Sequence, residues 1–178
     1  MKSLDSIEAD SVVLLDWSVI VYGMSGRIGS ARPSSEQAYN LLSRCKLGVV
    51  TGVITHQVVT GFAKALTAIA LANEGYTSED AINTAFREGY VQQTTFIDPF
   101  ARVKALLGST LRLIAPQNTD FSAAIEVARA GNIRIETALS YAAYERCYGP
   151  QCLIATANQD YDAIAGTKLT VFKATDVA

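Results

Sequence analysis

Histidine occurs once in this chain of 178 residues, at His56, and cysteine only three times, at Cys45, Cys147 and Cys152. A Ser-His-Asp or Cys-His catalytic arrangement would have to use that single imidazole. No serine or cysteine near it sits in a nucleophile turn, and G-x-S-x-G is absent. The odd cysteine count, with no repeated C-x-x-C, argues against a disulfide framework and a zinc site, and reads as buried, reduced thiols. Prolines are few and nearly half the residues are apolar, which excludes a disordered chain. No apolar run approaches the roughly 20 residues of a membrane helix. The polar, acidic segment Met1 to Asp10 does not read as a secretory signal, so a cytoplasmic protein is expected. A net charge of -2 and a pI near 5.4 provide no global positive field, so nucleic-acid binding would need a local basic patch. The phosphate loops G-x-G-x-x-G and G-x-x-x-x-G-K-[ST] are missing too, which weighs against a doubly wound nucleotide-binding domain.

What is present is an alternation of short apolar strands and helices. Ser11–Leu15, Gly48–Ile54, Leu111–Ala115, Cys152–Thr156 and Leu169–Phe172 are rich in β-branched or aliphatic residues and apolar on both faces, as in a parallel sheet covered on two sides. Helical patterns follow the first four. One runs from Ser35 to Lys46 after Pro33, and one from a Thr55 cap to about Asn73, with Gly75 as its stop. Further helices are predicted over Ser78–Glu88, Pro99–Leu107, Phe121–Ala130 with Asp120 as cap, and Ile135–Cys147 before the Gly149-Pro150 break. Gly23 to Pro33 reads as a loop near the ligand edge. With no break in composition, residues 1–178 read as one α/β domain.

The acids punctuate this pattern. Asp16 closes the first strand, Glu136 opens the helix over Ile135–Cys147, and Asp160 follows the strand Cys152–Thr156. In an open parallel sheet these positions share one edge, where such folds bind ligands. Carboxylates gathered there suit a hard divalent cation. The start Asp16-Trp17-Ser18 also invites comparison with haloacid-dehalogenase phosphatases, but those carry a second aspartate where this chain has Ser18.

Glu136-Thr137-Ala138-Leu139-Ser140-Tyr141-Ala142-Ala143, followed by Leu153-Ile154-Ala155-Thr156-Ala157-Asn158-Gln159-Asp160-Tyr161, resembles the PIN domain signature. In that family an acid-initiated helix precedes a strand ending in Thr-x-Asp-x-Asp-Phe, and Asp16 with Ser18 is similar to its opening Asp-x-Asn/Ser. Order and spacing agree over essentially the whole chain. The resemblance implies a PIN-like, three-layer doubly wound α/β fold with a five-stranded central parallel sheet. It also implies a Mg²⁺ or Mn²⁺ site at Asp16, Glu136 and Asp160, supported by Ser18, Thr156 and Asn158, and metal-dependent cleavage of single-stranded RNA.

Two departures accompany it. Asn158 stands where the family often has an aspartate, and the glutamate expected early in the helix after the second strand is missing from positions 60 to 62. Glu74 comes about three turns later, too far along to replace it. The leading reading is therefore an endoribonuclease, weakly active, of the toxin–antitoxin kind, with RNA as substrate, an antitoxin protein as a possible partner and a homodimer as a possible assembly. The alternative is a catalytically degenerate PIN-like domain that binds RNA or protein. Arg27 and Arg32 are candidate phosphate contacts, and His56 a candidate proton carrier or structural imidazole. Tyr76, Phe86, Tyr90, Phe96 and Phe100 form a cluster read as packing in a helical cap or an oligomer contact, with base stacking as the other use.

Overall fold

The structure is a computed structural model and describes residues 2–25, 33–73, 75–76, 78, 80–81, 83–84, 101, 105, 110–164 and 169–173. Its strands are β1 (Lys2–Ser3), β2 (Val12–Leu15), β3 (Thr51–Thr55), β4 (Leu111–Ile114), β5 (Cys152–Thr156) and β6 (Leu169–Lys173). All pair in parallel, in the order β1-β6-β5-β2-β3-β4. Five of the six are the strands expected from sequence. The sixth, β1, is a polar two-residue edge pairing with Phe172 and Lys173, too short to leave a hydrophobic pattern. As expected, the Val12–Leu15 strand lies inside the sheet, between β5 and β3.

The helices are α1 (Trp17–Ser25), α2 (Pro33–Lys46), α3 (His56–Asn73), α4 (Asn118–Gly131), α5 (Ile135–Tyr148) and α6 (Asp160–Ile164). Asp80, Ala81, Asn83 and Thr84 are helical, as are Ala101 and Ala105; the rest of the two helices expected there lies outside the described residues. Alternate residues of β2 point to opposite sides. Val13 and Leu15 pack with Val19 and Ile20 of α1, Ala38 and Leu41 of α2, and Val58 and Phe62 of α3. Leu14 faces the other core, with Tyr141 and Tyr144 of α5 and Tyr161 of α6. α4 then packs on α5 through Ala124, Ala138 and Ala142. The result is helix, sheet and helix in three layers.

Two local readings are corrected. The segment after β2 is helix α1, which takes in Gly23, Met24 and Ser25 of the loop expected from Gly23 to Pro33; positions 26–32 of that loop lie outside the described residues, and Pro33 begins α2. The β-branched residues of α1 look strand-like, but the Asp16 carbonyl accepts the N–H groups of Val19 and Ile20 and starts a helix at once. A Cβ on Gly23 would lie 2.6 Å from Leu42 Cδ1 and 3.0 Å from the Ala38 backbone, so only glycine allows α1 this close to α2. Asp120 does not precede its helix; it is the third residue of α4. There its carboxylate accepts the Gln117 N–H at 2.8 Å, the reciprocal half of a capping box.

The strand order sets the place of the site. From β2 the chain moves one way to β3 and β4, then crosses back to β5 and β6 on the other side. The carboxyl ends of β2 and β5 therefore flank the topological switch point, where open α/β sheets form a crevice.

Candidate functional site

Asp16 follows β2 at that point, and its N–H extends the ladder to the Ala155 carbonyl at 3.0 Å. Its side chain is almost wholly buried, 4% exposed. Oδ2 accepts hydrogen bonds from Ser18 Oγ at 2.7 Å and Thr156 Oγ1 at 3.0 Å. Ser18 Oγ in turn accepts the Ala157 N–H, and Thr156 Oγ1 accepts the Asn158 N–H. The two hydroxyls thus link the carboxylate to the turn after β5. Burial raises the Asp16 pKa against the lowering effect of these hydroxyls. The leading cause is desolvation.

The turn carries the polar chain onward. Asn158 Oδ1 accepts the Asp160 N–H at 3.0 Å, and its amide nitrogen lies 3.4 Å from Thr137 Oγ1. Thr137 donates to Asp160 Oδ2 at 3.1 Å, and Arg134 Nε donates to the same oxygen at 2.6 Å. Burial opposes ionisation of Asp160, but Arg134 and Thr137 outweigh it and hold its carboxyl below the usual range. Lys173 Nζ braces the turn from beneath, on the Asn158 carbonyl at 3.1 Å and on Asp162 at 2.8 Å.

Above this network lies a cleft of about 670 Å³. Asp16, Glu136 and Asn158 line it, but Asp160 does not; its carboxylate is engaged by Arg134. Arg134 lines the cleft with its side chain 61% exposed. Its bond to Asp160, then the charges of Asp160, Asp16 and Glu136, raise its pKa further. The three acids singled out from sequence thus act on one cation, and that cation is a guanidinium of the chain itself. Ser18 and Thr156 are buried in the frame, and His56 lines the cleft at the start of α3. Arg27, Arg32, Phe86, Tyr90, Phe96 and Phe100 lie outside the described residues.

Sequence reading missed four wall residues: Trp17, Gln57, Lys64 and Arg134. It sought the absent glutamate at positions 60 to 62, but Phe62 is core, 2% exposed, and a Cβ on Gly61 would meet Trp17 Cδ1 at 2.7 Å. The side chain one atom type away from glutamate is Gln57, in the first turn of α3. Its Oε1 is buried in the cleft wall without a hydrogen-bond partner. The recurrence of Gln57, Gly61, Lys64 and Ala68 at helical spacing was the available signal.

Among the described residues no three His, Cys, Asp or Glu side chains gather closely enough to hold a metal ion. Among the described residues, the cleft sets the carboxylates of Asp16 and Glu136 against the cations Lys64 and Arg134, and its other side-chain oxygens are neutral. Divalent-ion affinity tracks ligand charge, so this donor set does not fit a resident Mg²⁺ or Mn²⁺.

No protein-family model and no curated protein matches the sequence. Among solved structures, the chain is similar to one in the crystal structure of VapBC2 from Rickettsia felis bound to a DNA fragment from their promoter. The match has a TM-score of 0.53 and 13% identity, and covers 90% of this chain and 98% of that one. The likeness is one of fold. The PIN-like α/β architecture expected from the sequence therefore stands, with six strands in place of five. Among the described residues no helix is long and apolar enough to cross a membrane.

Proposed function

We propose that this chain is a catalytically degenerate PIN-like domain that binds single-stranded RNA in the cleft between the ends of β2 and β5. One observation carries the reading: among the described residues, the cleft walls hold two carboxylates, two amides at Gln57 and Asn158, and two cations at Lys64 and Arg134. Asp16 is turned into the protein, with one oxygen satisfied by two hydroxyls, while Lys64 and Arg134 are exposed. A phosphodiester chain entering here meets Lys64 and Arg134 beside the exposed Glu136. Phosphate contacts of this kind position a strand without reading its sequence.

The test is RNA binding by fluorescence anisotropy over a range of salt concentrations. If each cation neutralises one phosphate, Lys64→Ala and Arg134→Ala should each weaken binding and reduce the logarithmic salt slope by about 0.7. Parent-like affinity and slope in both variants would remove the cleft as the binding site.

A second reading, the metal-dependent endoribonuclease of the toxin kind, is favoured by the retention of Asp16 and Glu136 in one cleft and by the fold shared with the VapBC2 structure. An antitoxin-type partner and a homodimer belong to this reading. Its signature is slow, Mn²⁺-favoured cleavage of single-stranded RNA that Asp16→Asn abolishes.

A further inference from the structure

We infer that Trp17 is the nucleobase-binding platform of the cleft, a subsite that stacks one unpaired base beside Asp16. The inference rests on the RNA-binding reading and adds to it the part of the ligand that the phosphate contacts leave unread.

Trp17 is the only tryptophan in the chain and directly follows Asp16. It is half-buried, packing on the core between β2 and α1–α3 while also lining the cleft. Tyr161, another aromatic of the wall, is 1% exposed and offers almost no surface to a ligand. The indole is backed on one face by α3. A Cβ on Gly61 would stand 2.7 Å from Trp17 Cδ1 and 3.0 Å from Cγ, so the bare backbone of α3 buttresses the five-membered ring. Any larger residue at position 61 would push the ring from this place. Further along α3 the wall continues with Ala65 and Ala68, whose small side chains leave the space open. About 670 Å³ lies within the usual range for small-molecule sites and accommodates a nucleotide.

Other polar groups of the cleft wall suit the same ligand. Gln57 lines the same cleft, and its amide suits a base edge or a ribose hydroxyl. Lys64 and Arg134 line the same space and suit the phosphates on either side of the base. A planar ring with donors on its edge and anions along its chain is an unpaired nucleotide. Bases of this kind are recognised by stacking on aromatic side chains and by hydrogen bonds to their edges. A duplex keeps its bases stacked on one another and cannot offer them.

Because the chain has one tryptophan, its intrinsic fluorescence reports this subsite without mutation. A labelled single-stranded RNA ten-mer would be titrated by anisotropy while tryptophan emission is followed, alongside an abasic strand of the same backbone and the matching duplex. The intact strand should quench the emission with the same midpoint as the anisotropy change. The abasic strand and the duplex should bind more weakly and leave the emission unchanged. Trp17→Ala should weaken single-strand binding at least about fivefold, the lower end of one base–aromatic stack, and Trp17→Phe should retain most of it. Anisotropy binding with no change in emission overturns the subsite and leaves the RNA-binding reading intact. Absence of binding by either signal overturns both.

Discussion

Asp16 combines burial and charge in a way that shows in stability. Its carboxyl is desolvated, which raises its pKa, so the fold disfavours the ionised form. For an acid with a raised folded pKa the cost is full at neutral pH and is relieved as pH falls through that value toward the unfolded one. Asp16→Asn removes the charge and keeps an oxygen for Ser18 and Thr156. It should raise Tm at neutral pH by roughly 2–4 °C, the response of a chain of this size to about 1 kcal/mol. A lower Tm would mean that the carboxylate is better solvated or paired than its surroundings indicate. Asp120 and Asp160 have the opposite sign. Arg146 holds Asp120 low through bonds of 2.7 and 3.1 Å, and at Asp160 the bonds from Arg134 and Thr137 outweigh burial. Their contribution is present above the ordinary aspartate pKa and is lost as pH falls through the lowered values. Melts across acidic pH should therefore show stability falling below about pH 4, with a smaller fall in Asp120→Asn and Asp160→Asn than in the parent. Asp16, Ser18, Thr156 and Asn158 were legible in the sequence because each sits at a fixed offset from an apolar strand end. Gln57, Lys64 and Arg134 were not, since an amide and two isolated cations match no motif until the fold faces them into one cleft.

At the level of elements, α3 decides the shape of the cleft. Positions 61 and 62 look equally suited to a carboxylate in the sequence, yet neither can hold one in the cleft. Phe62→Glu places a charge in the core among Val58, Leu15 and Ile20, and should unfold the protein or lower its Tm sharply. Gly61→Ala should cost about 1–3 kcal/mol through overpacking against the indole, and should shift the Trp17 emission because the ring must move. A parent-like spectrum and Tm would show that α3 and α1 are less tightly opposed than described. The strands were legible element by element because a parallel sheet buried on both sides leaves runs such as Leu153-Ile154-Ala155. Helix α1 was not, because Val19, Ile20 and Val21 carry strand propensity and tertiary packing on α2 overrode it. The polar edge β1 was invisible for the converse reason: two residues leave no period.

For the whole molecule, the switch-point topology brings distant parts of the chain to one crevice, and charge decides what the crevice can do. Placing acids at the two amides tests that balance. The double variant Gln57→Glu, Asn158→Asp should bind Mn²⁺ more tightly than the parent in isothermal titration, because it adds two negative charges to a wall whose described residues carry equal numbers of carboxylates and cations. Equal Mn²⁺ affinity would show that these side chains do not reach a common point. The central claim, that Lys64 and Arg134 hold RNA directly and no divalent ion is needed, is tested most directly by RNA binding of the unmodified protein in EDTA and in Mn²⁺. The expected result is the same anisotropy midpoint in both, with the RNA intact on a denaturing gel. Binding that appears only with Mn²⁺, with cleavage that Asp16→Asn abolishes, would contradict it.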